Sequence, residues 1–130
     1  MSDDEFLAEL EAGTLPEHLF PHSGHVRAAW LYLKRFPITE AIARFSDTLR
    51  SYATIQGKPE RYHATITWAY LLLINERIVH AARSQTWDEF AAAHPDLLDW
   101  RNSILLKYYR KETLQSDLAR NVFIMPDRAL

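Results

Sequence analysis

The chain contains no cysteine. Disulfides, thiolate metal sites and cysteine nucleophiles are therefore excluded, and the absence fits a reducing compartment. Glycine is scarce, with only Gly13, Gly24 and Gly57 in 130 residues. Neither a glycine-rich phosphate loop nor a Gly-x-Ser-x-Gly nucleophile elbow occurs. No apolar–polar alternation of useful length suggests a strand, and no repeat or low-complexity tract is present. The most apolar run, Ala64 to Ile74, includes two threonines and falls short of the ~20 residues that span a bilayer. Positive charge is not in excess, with 15 Lys and Arg against 17 Asp and Glu and a net charge of -2. Nothing in that balance attracts nucleic acid or anionic lipid. The segment "MSDDEFLAELEAG" has neither the basic nor the apolar region of a secretory signal. The expectation is a soluble, cytoplasmic protein with no nucleic-acid or membrane partner.

Helix formers dominate what remains, and 48% of residues are hydrophobic, enough for a real core. The length suits a single domain over residues 1–130. The punctuation predicts six to seven helices. The first runs from about Asp3 to Ala12, capped by Ser2 and stopped by Gly13. Thr14 to Glu17 reads as a capping box for a short turn. The second runs from a Ser23 cap to about Arg35, closed by Pro37. The third spans about Ile38 to Gln56, stopped by Gly57. The fourth opens at Pro59, a favoured first-turn residue, and continues to about Arg83. It is apolar on nearly all sides and is expected to be the central helix. Thr86 to Glu89 is a further capping box, for a fifth helix that Pro95 ends. A sixth is expected from Asp96 to about Tyr109, and a last short one from Thr113 or Ser116 to about Asn121. The tail "VFIMPDRAL" is expected to pack extended. The predicted fold is an all-α, single-domain helical bundle with an up-down core, its short loops making sequence neighbours antiparallel.

Against this background the histidines stand out. Three of the six, His18, His22 and His25, fall within eight residues. His22 and His25 flank the start of the second helix. Glu60 and His63 begin the fourth, three apart and so on one helical face. Up-down-up topology would bring both starts to one end of the bundle. A helix N-terminus carries roughly half a positive charge, which favours neutral imidazole, and Arg27 and Arg61 push the same way. Neutral imidazole is the metal-binding form. Three histidines with an optional carboxylate suit one Zn, Fe, Ni or Cu ion. His22, His25 and His63 are the candidate ligands, and Glu60 is a fourth ligand or a general base. Only one Glu-x-x-His pair is present, which argues against a di-iron bundle. Gly24 would allow close approach to such a site. His18 is peripheral, and His80 and His94 belong to other helix ends, where the dipole favours their positive forms.

Other features rank lower. Tyr32 and Thr67 lie below the histidines and, with Arg27 and Arg61, are weak candidates for lining a small-molecule or anion pocket. Close packing explains the same residues. "LLKYYRKE" superficially resembles an RNA-binding patch, but basic residues are ordinary at a helix C-terminus. Three function classes follow: a small mononuclear metal enzyme, a metal-free small-molecule or anion-binding module, and a structural or partner-binding bundle. In the third, the acidic first helix or the apolar tail Val122 to Met125 would form a homo-oligomer surface.

Overall fold

A computed structural model describes residues 1–128. Among them are eight α-helices, three 3-10 segments and no strand. The all-α expectation holds. The helices are α1 (Asp3–Ala12), α2 (His22–Arg35), α3 (Ile38–Ile55), α4 (Ala64–Val79), α5 (Trp87–Ala93), α6 (Pro95–Leu98), α7 (Lys111–Leu114) and α8 (Asp117–Asn121). The 3-10 segments are Glu17–Leu19, Pro59–Arg61 and Ile104–Lys107. The chain forms two compact units, Met1–Tyr62 and from His63 on.

In the first unit, local chemistry decides the ends of α1. The Ser2 hydroxyl accepts from the Glu5 N–H at 3.1 Å, and three acidic residues occupy the first turn, where the helix dipole favours them. Gly13 ends the helix at φ 76°, a left-handed conformation that costs a residue with a Cβ. The Ile55 side chain also fills the space a Cβ would need. Phe6, Leu7 and Leu10 are buried. α3 packs against both α1 and α2, burying Phe45, Leu49 and Tyr52. Tyr52 donates to the Leu15 carbonyl at 2.7 Å, and Gln56 donates to the Gly13 carbonyl. Pro37 separates α2 from α3 by holding Phe36 extended, as proline does to its predecessor. Two expected caps are absent. Ser23 lies inside α2, whose N-cap is Pro21. Thr14 turns back to donate to Glu9 O instead of capping the next turn.

The second unit is built on α4, which packs against α8 and the Ile104–Lys107 turn. Ala64, Thr65, Thr67, Ala69, Tyr70, Leu71 and Ile74 are buried along it. The expected long fourth helix is shorter at both ends. Pro59 starts only a 3-10 turn, Tyr62 and His63 are extended, and the helix begins at Ala64 and ends at Val79. The Thr86 capping box of α5 is complete, with both reciprocal hydrogen bonds formed. The expected sixth helix is broken into α6 and the Ile104–Lys107 turn. Between them Ser103 turns its hydroxyl to Tyr70 at 2.8 Å and also accepts from the Leu105 N–H. The last expected helix is two, α7 and α8, with Ser116 capping α8 through the Ala119 N–H. Residues 122–127 leave the helix and run extended or bent. No helix among the described residues is long and apolar enough to cross a membrane.

Candidate functional site

His25 lies in the first turn of α2 and is part of an aromatic cluster. Its ring stacks on Phe20, with centroids 3.9 Å apart. Phe20 in turn meets Tyr52 edge-on and Phe6 at a tilt. His25 Nδ1 hydrogen-bonds the Pro21 carbonyl at 3.1 Å. Burial pushes its pKa down to about 4, with His22 adding to the fall and the Pro21 bond opposing it. The imidazole is therefore neutral at pH 7, as anticipated. The dominant cause is desolvation rather than the neighbouring arginines. Gly24 also has a plain packing role, because a Cβ there would meet the Phe20 ring at 3.2 Å. The group that approaches Gly24 closely is a side chain of the protein itself.

His63 is the N-cap of α4. Its Nδ1 accepts from the Ile66 N–H at 3.1 Å, and its Nε2 donates to the Leu114 carbonyl at 2.7 Å. This pattern requires the neutral tautomer protonated at Nε2. Desolvation lowers its pKa, with Arg120 as the main charge acting the same way. Nε2 carries the proton and the Nδ1 lone pair is taken by the Ile66 N–H, so no lone pair faces an open site. Glu60 is exposed on the preceding 3-10 turn. The expected single helical face shared by Glu60 and His63 does not exist, because the helix begins after both.

The remaining candidates are also engaged internally. Arg27 pairs with Asp3 at 2.5 Å and lies 4.5 Å from the centre of the Phe6 ring. Arg61 faces Glu17 at 3.9 Å, while Lys58 holds the same carboxylate at 3.1 Å. Tyr32 is buried, donates to Glu11 at 2.6 Å and shares a 2.8 Å hydrogen bond with Thr48. Burial, then the Glu11 bond, raises its pKa. Thr67 is buried in α4. His18 is exposed on its 3-10 turn. His22 and His25 belong to the first unit and His63 to the second. No group of three or more His, Asp or Glu side chains among the described residues is arranged to hold a metal ion.

Two sets of partners have no signal in the sequence, although the packing of the tail itself is expected from it. In the first, Arg77 donates to both carboxylate oxygens of Asp96, at 3.1 and 2.8 Å. It also donates to His94 Nδ1 at 2.9 Å. His94 was expected to favour its positive form, yet desolvation and then Arg77 lower its pKa. Desolvation is the larger cause and the guanidinium adds to it, while Asp96 opposes both. In the second, the tail is held through its main chain. The Thr65 hydroxyl donates to Val122 O at 2.9 Å and accepts from the Ile124 N–H at 3.0 Å. Tyr109 donates to Ile124 O at 2.6 Å. Phe123 stacks on Trp68, with ring centroids 5.4 Å apart. The Asp127 carboxylate accepts from the Arg110 N–H and from the Thr113 hydroxyl. The Asp127 and Arg128 N–H groups both donate to Tyr108 O. Only the apolar pattern of the tail hinted at this docking. The partners lie 57 and 59 positions apart for Thr65, beyond any local motif.

No protein-family model matches the chain, and no curated protein or solved structure matches it.

Proposed function

We propose that the chain is a partner-binding helical module whose contact surface lies on the second unit. The observation that carries this reading is three apolar side chains turned to solvent, one on α8 and two on the docked tail. Leu118 is 64% exposed, Val122 48% and Met125 72%. Val122 follows the last residue of α8, and its N–H donates to Leu118 O. Clustered, exposed apolar groups on a well-anchored segment mark an interaction surface. The polar candidates point the same way. His63 and Tyr32 spend their polar atoms on internal hydrogen bonds, and His25, Arg27 and Arg61 each hold one internal hydrogen bond or ion pair. A mononuclear Zn, Fe, Ni or Cu centre on His22, His25 and His63, with Glu60, would need His63 released from its two hydrogen bonds first.

Site-specific photo-crosslinking tests this reading. A photo-reactive residue at Leu118 should give discrete covalent complexes, and Met125→Glu in the same chain should abolish them. The same group at exposed Glu40 on α3 serves as the control. Indistinguishable products at the two positions would overturn the proposal. So would stoichiometric metal in tag-free protein that disappears in a His25→Ala, His63→Ala double variant.

A further inference from the structure

The tail of this protein is bound as a ligand would be. Thr65 holds the main-chain groups on either side of Phe123, a two-point clamp of the kind that fixes an extended peptide. Tyr109 takes the next carbonyl, Trp68 supplies a flat ring for Phe123, and the Arg110 N–H with Thr113 holds the carboxylate of Asp127. The groove therefore recognises an extended segment with an aromatic residue and, four positions later, an acid. Val122 N–H donates back to Leu118 O of α8, and every other hydrogen bond named here runs between the tail and Thr65 or residues 106–113.

The geometry points to a second copy of this chain as the groove's other occupant, by exchange of residues 122–128 between two molecules. This inference rests on the partner-binding reading above and names the partner. The hinge is the step from Asn121 to Val122, where the helix ends and Val122 adopts φ -136°, ψ 154°. A change of direction at Val122 moves the tail to a neighbour's groove, keeps its hydrogen bonds to Thr65 and to residues 106–113 and the Phe123–Trp68 stack, and leaves only the Val122 N–H on its own α8. Exchange of identical elements is a low-cost route to a symmetric dimer. The exposed residues sit where such a dimer needs them. Leu118 and Val122 flank the hinge and Met125 lies on the crossing segment, so a second molecule's hinge would cover them against their own counterparts. That burial is the term a closed monomer lacks, and it opposes the entropy lost on association.

The cysteine-free chain makes a direct test possible. Full-length Trp68→Cys and Phe123→Cys proteins are mixed in equal amounts, partly unfolded and refolded together, then oxidised. Neither alone can form the bond between residues 68 and 123, so a covalent heterodimer reports exchange. The expected yield exceeds by more than about tenfold that of Trp68→Cys mixed with Glu40→Cys, reflecting the effective concentration in a docked groove. Sedimentation of the wild-type chain over rising concentration supplies a second readout that needs no substitution, and a dimer is expected. A wild type that stays monomeric throughout, or equal yields in the two mixtures, overturns the inference. Crosslinks from Leu118 to a different protein alongside a monomeric chain would reject tail exchange and leave the broader partner-binding reading standing.

Discussion

Acid should weaken the first unit through one identifiable group, His25. Its imidazole is neutral when folded, with a pKa of about 4 against 6.5 for a free side chain. Between those values the unfolded chain binds a proton that the folded chain refuses. Stability is therefore complete above about pH 6.5 and falls as pH drops toward 4. Linkage gives a loss of about 2 kcal/mol by pH 5 and about 3 kcal/mol by pH 4. A domain of this size has a total stability of roughly 5–15 kcal/mol, so the effect is large enough to measure. The cause lies in the cluster. Phe20 covers one face of the ring, and the single Pro21 hydrogen bond cannot repay the desolvation of a cation. Urea titrations followed by tryptophan fluorescence at pH 7.5, 6, 5 and 4.5 would give the profile. His25→Phe keeps an aromatic ring against Phe20 and removes the titrating group. Its profile should be flatter than wild type by about 2 kcal/mol between pH 7.5 and 5. His63 and His94 shift in the same direction and remain in both proteins, so the difference isolates His25. Parallel profiles, or an NMR-titrated His25 pKa near 6.5, would refute the reasoning.

Three further outcomes follow from the geometry. His63→Ala removes the α4 cap and strands the Leu114 carbonyl, which should cost about 1–3 kcal/mol in chemical denaturation. His63→Asn, which can still cap, should recover part of that loss. Arg77→Met should raise the His94 pKa toward 6.5 in an NMR titration, because Arg77 is one of two causes that lower it. Gly13→Ala should lower stability by about 1–2 kcal/mol, seen as a reduced Tm, since it forces a left-handed φ on a residue with a Cβ. Relief of that loss by Ile55→Val would trace part of it to crowding by Ile55.

The sequence was most informative where neighbouring residues decide the outcome. Ser2, Gly13, Pro37 and the Thr86–Glu89 box act within a turn of their own position, and each does in the fold what its chemistry implied. The start of α4 was misjudged for a reason that is also local. Proline is welcome in a first helical turn, but here the turn is 3-10, and the residue that caps the helix is a histidine, outside the usual Ser, Thr, Asp and Asn set. Glu60 and His63 lost their common face with that shift. The break between α6 and the Ile104–Lys107 turn depends on Ser103 meeting Tyr70, 33 positions away, which no periodicity reveals. The candidate site suffered most. Spacing alone presents the imidazoles near helix starts as ligands, whereas ring stacking engages His25 and two-sided hydrogen bonding engages His63. Neutrality was anticipated correctly; the burial that causes it could be seen only in three dimensions.

The Thr65 clasp also bears on how the second unit tolerates a break in its chain. Arg83 is exposed in the turn between α4 and α5, where a protease would cut first. A cut there leaves α4 with one fragment and the tail with the other. The pieces still share the α4–α8 packing, the Arg77–Asp96 pair, the Tyr70–Ser103 bond and both bonds of the Thr65 hydroxyl. Two polypeptides on a denaturing gel should therefore travel as one particle in native solution. The expected result is that continuity of the backbone in that turn is dispensable for holding the second unit together, because the hydroxyl of one threonine and its surroundings bridge the gap from the other side.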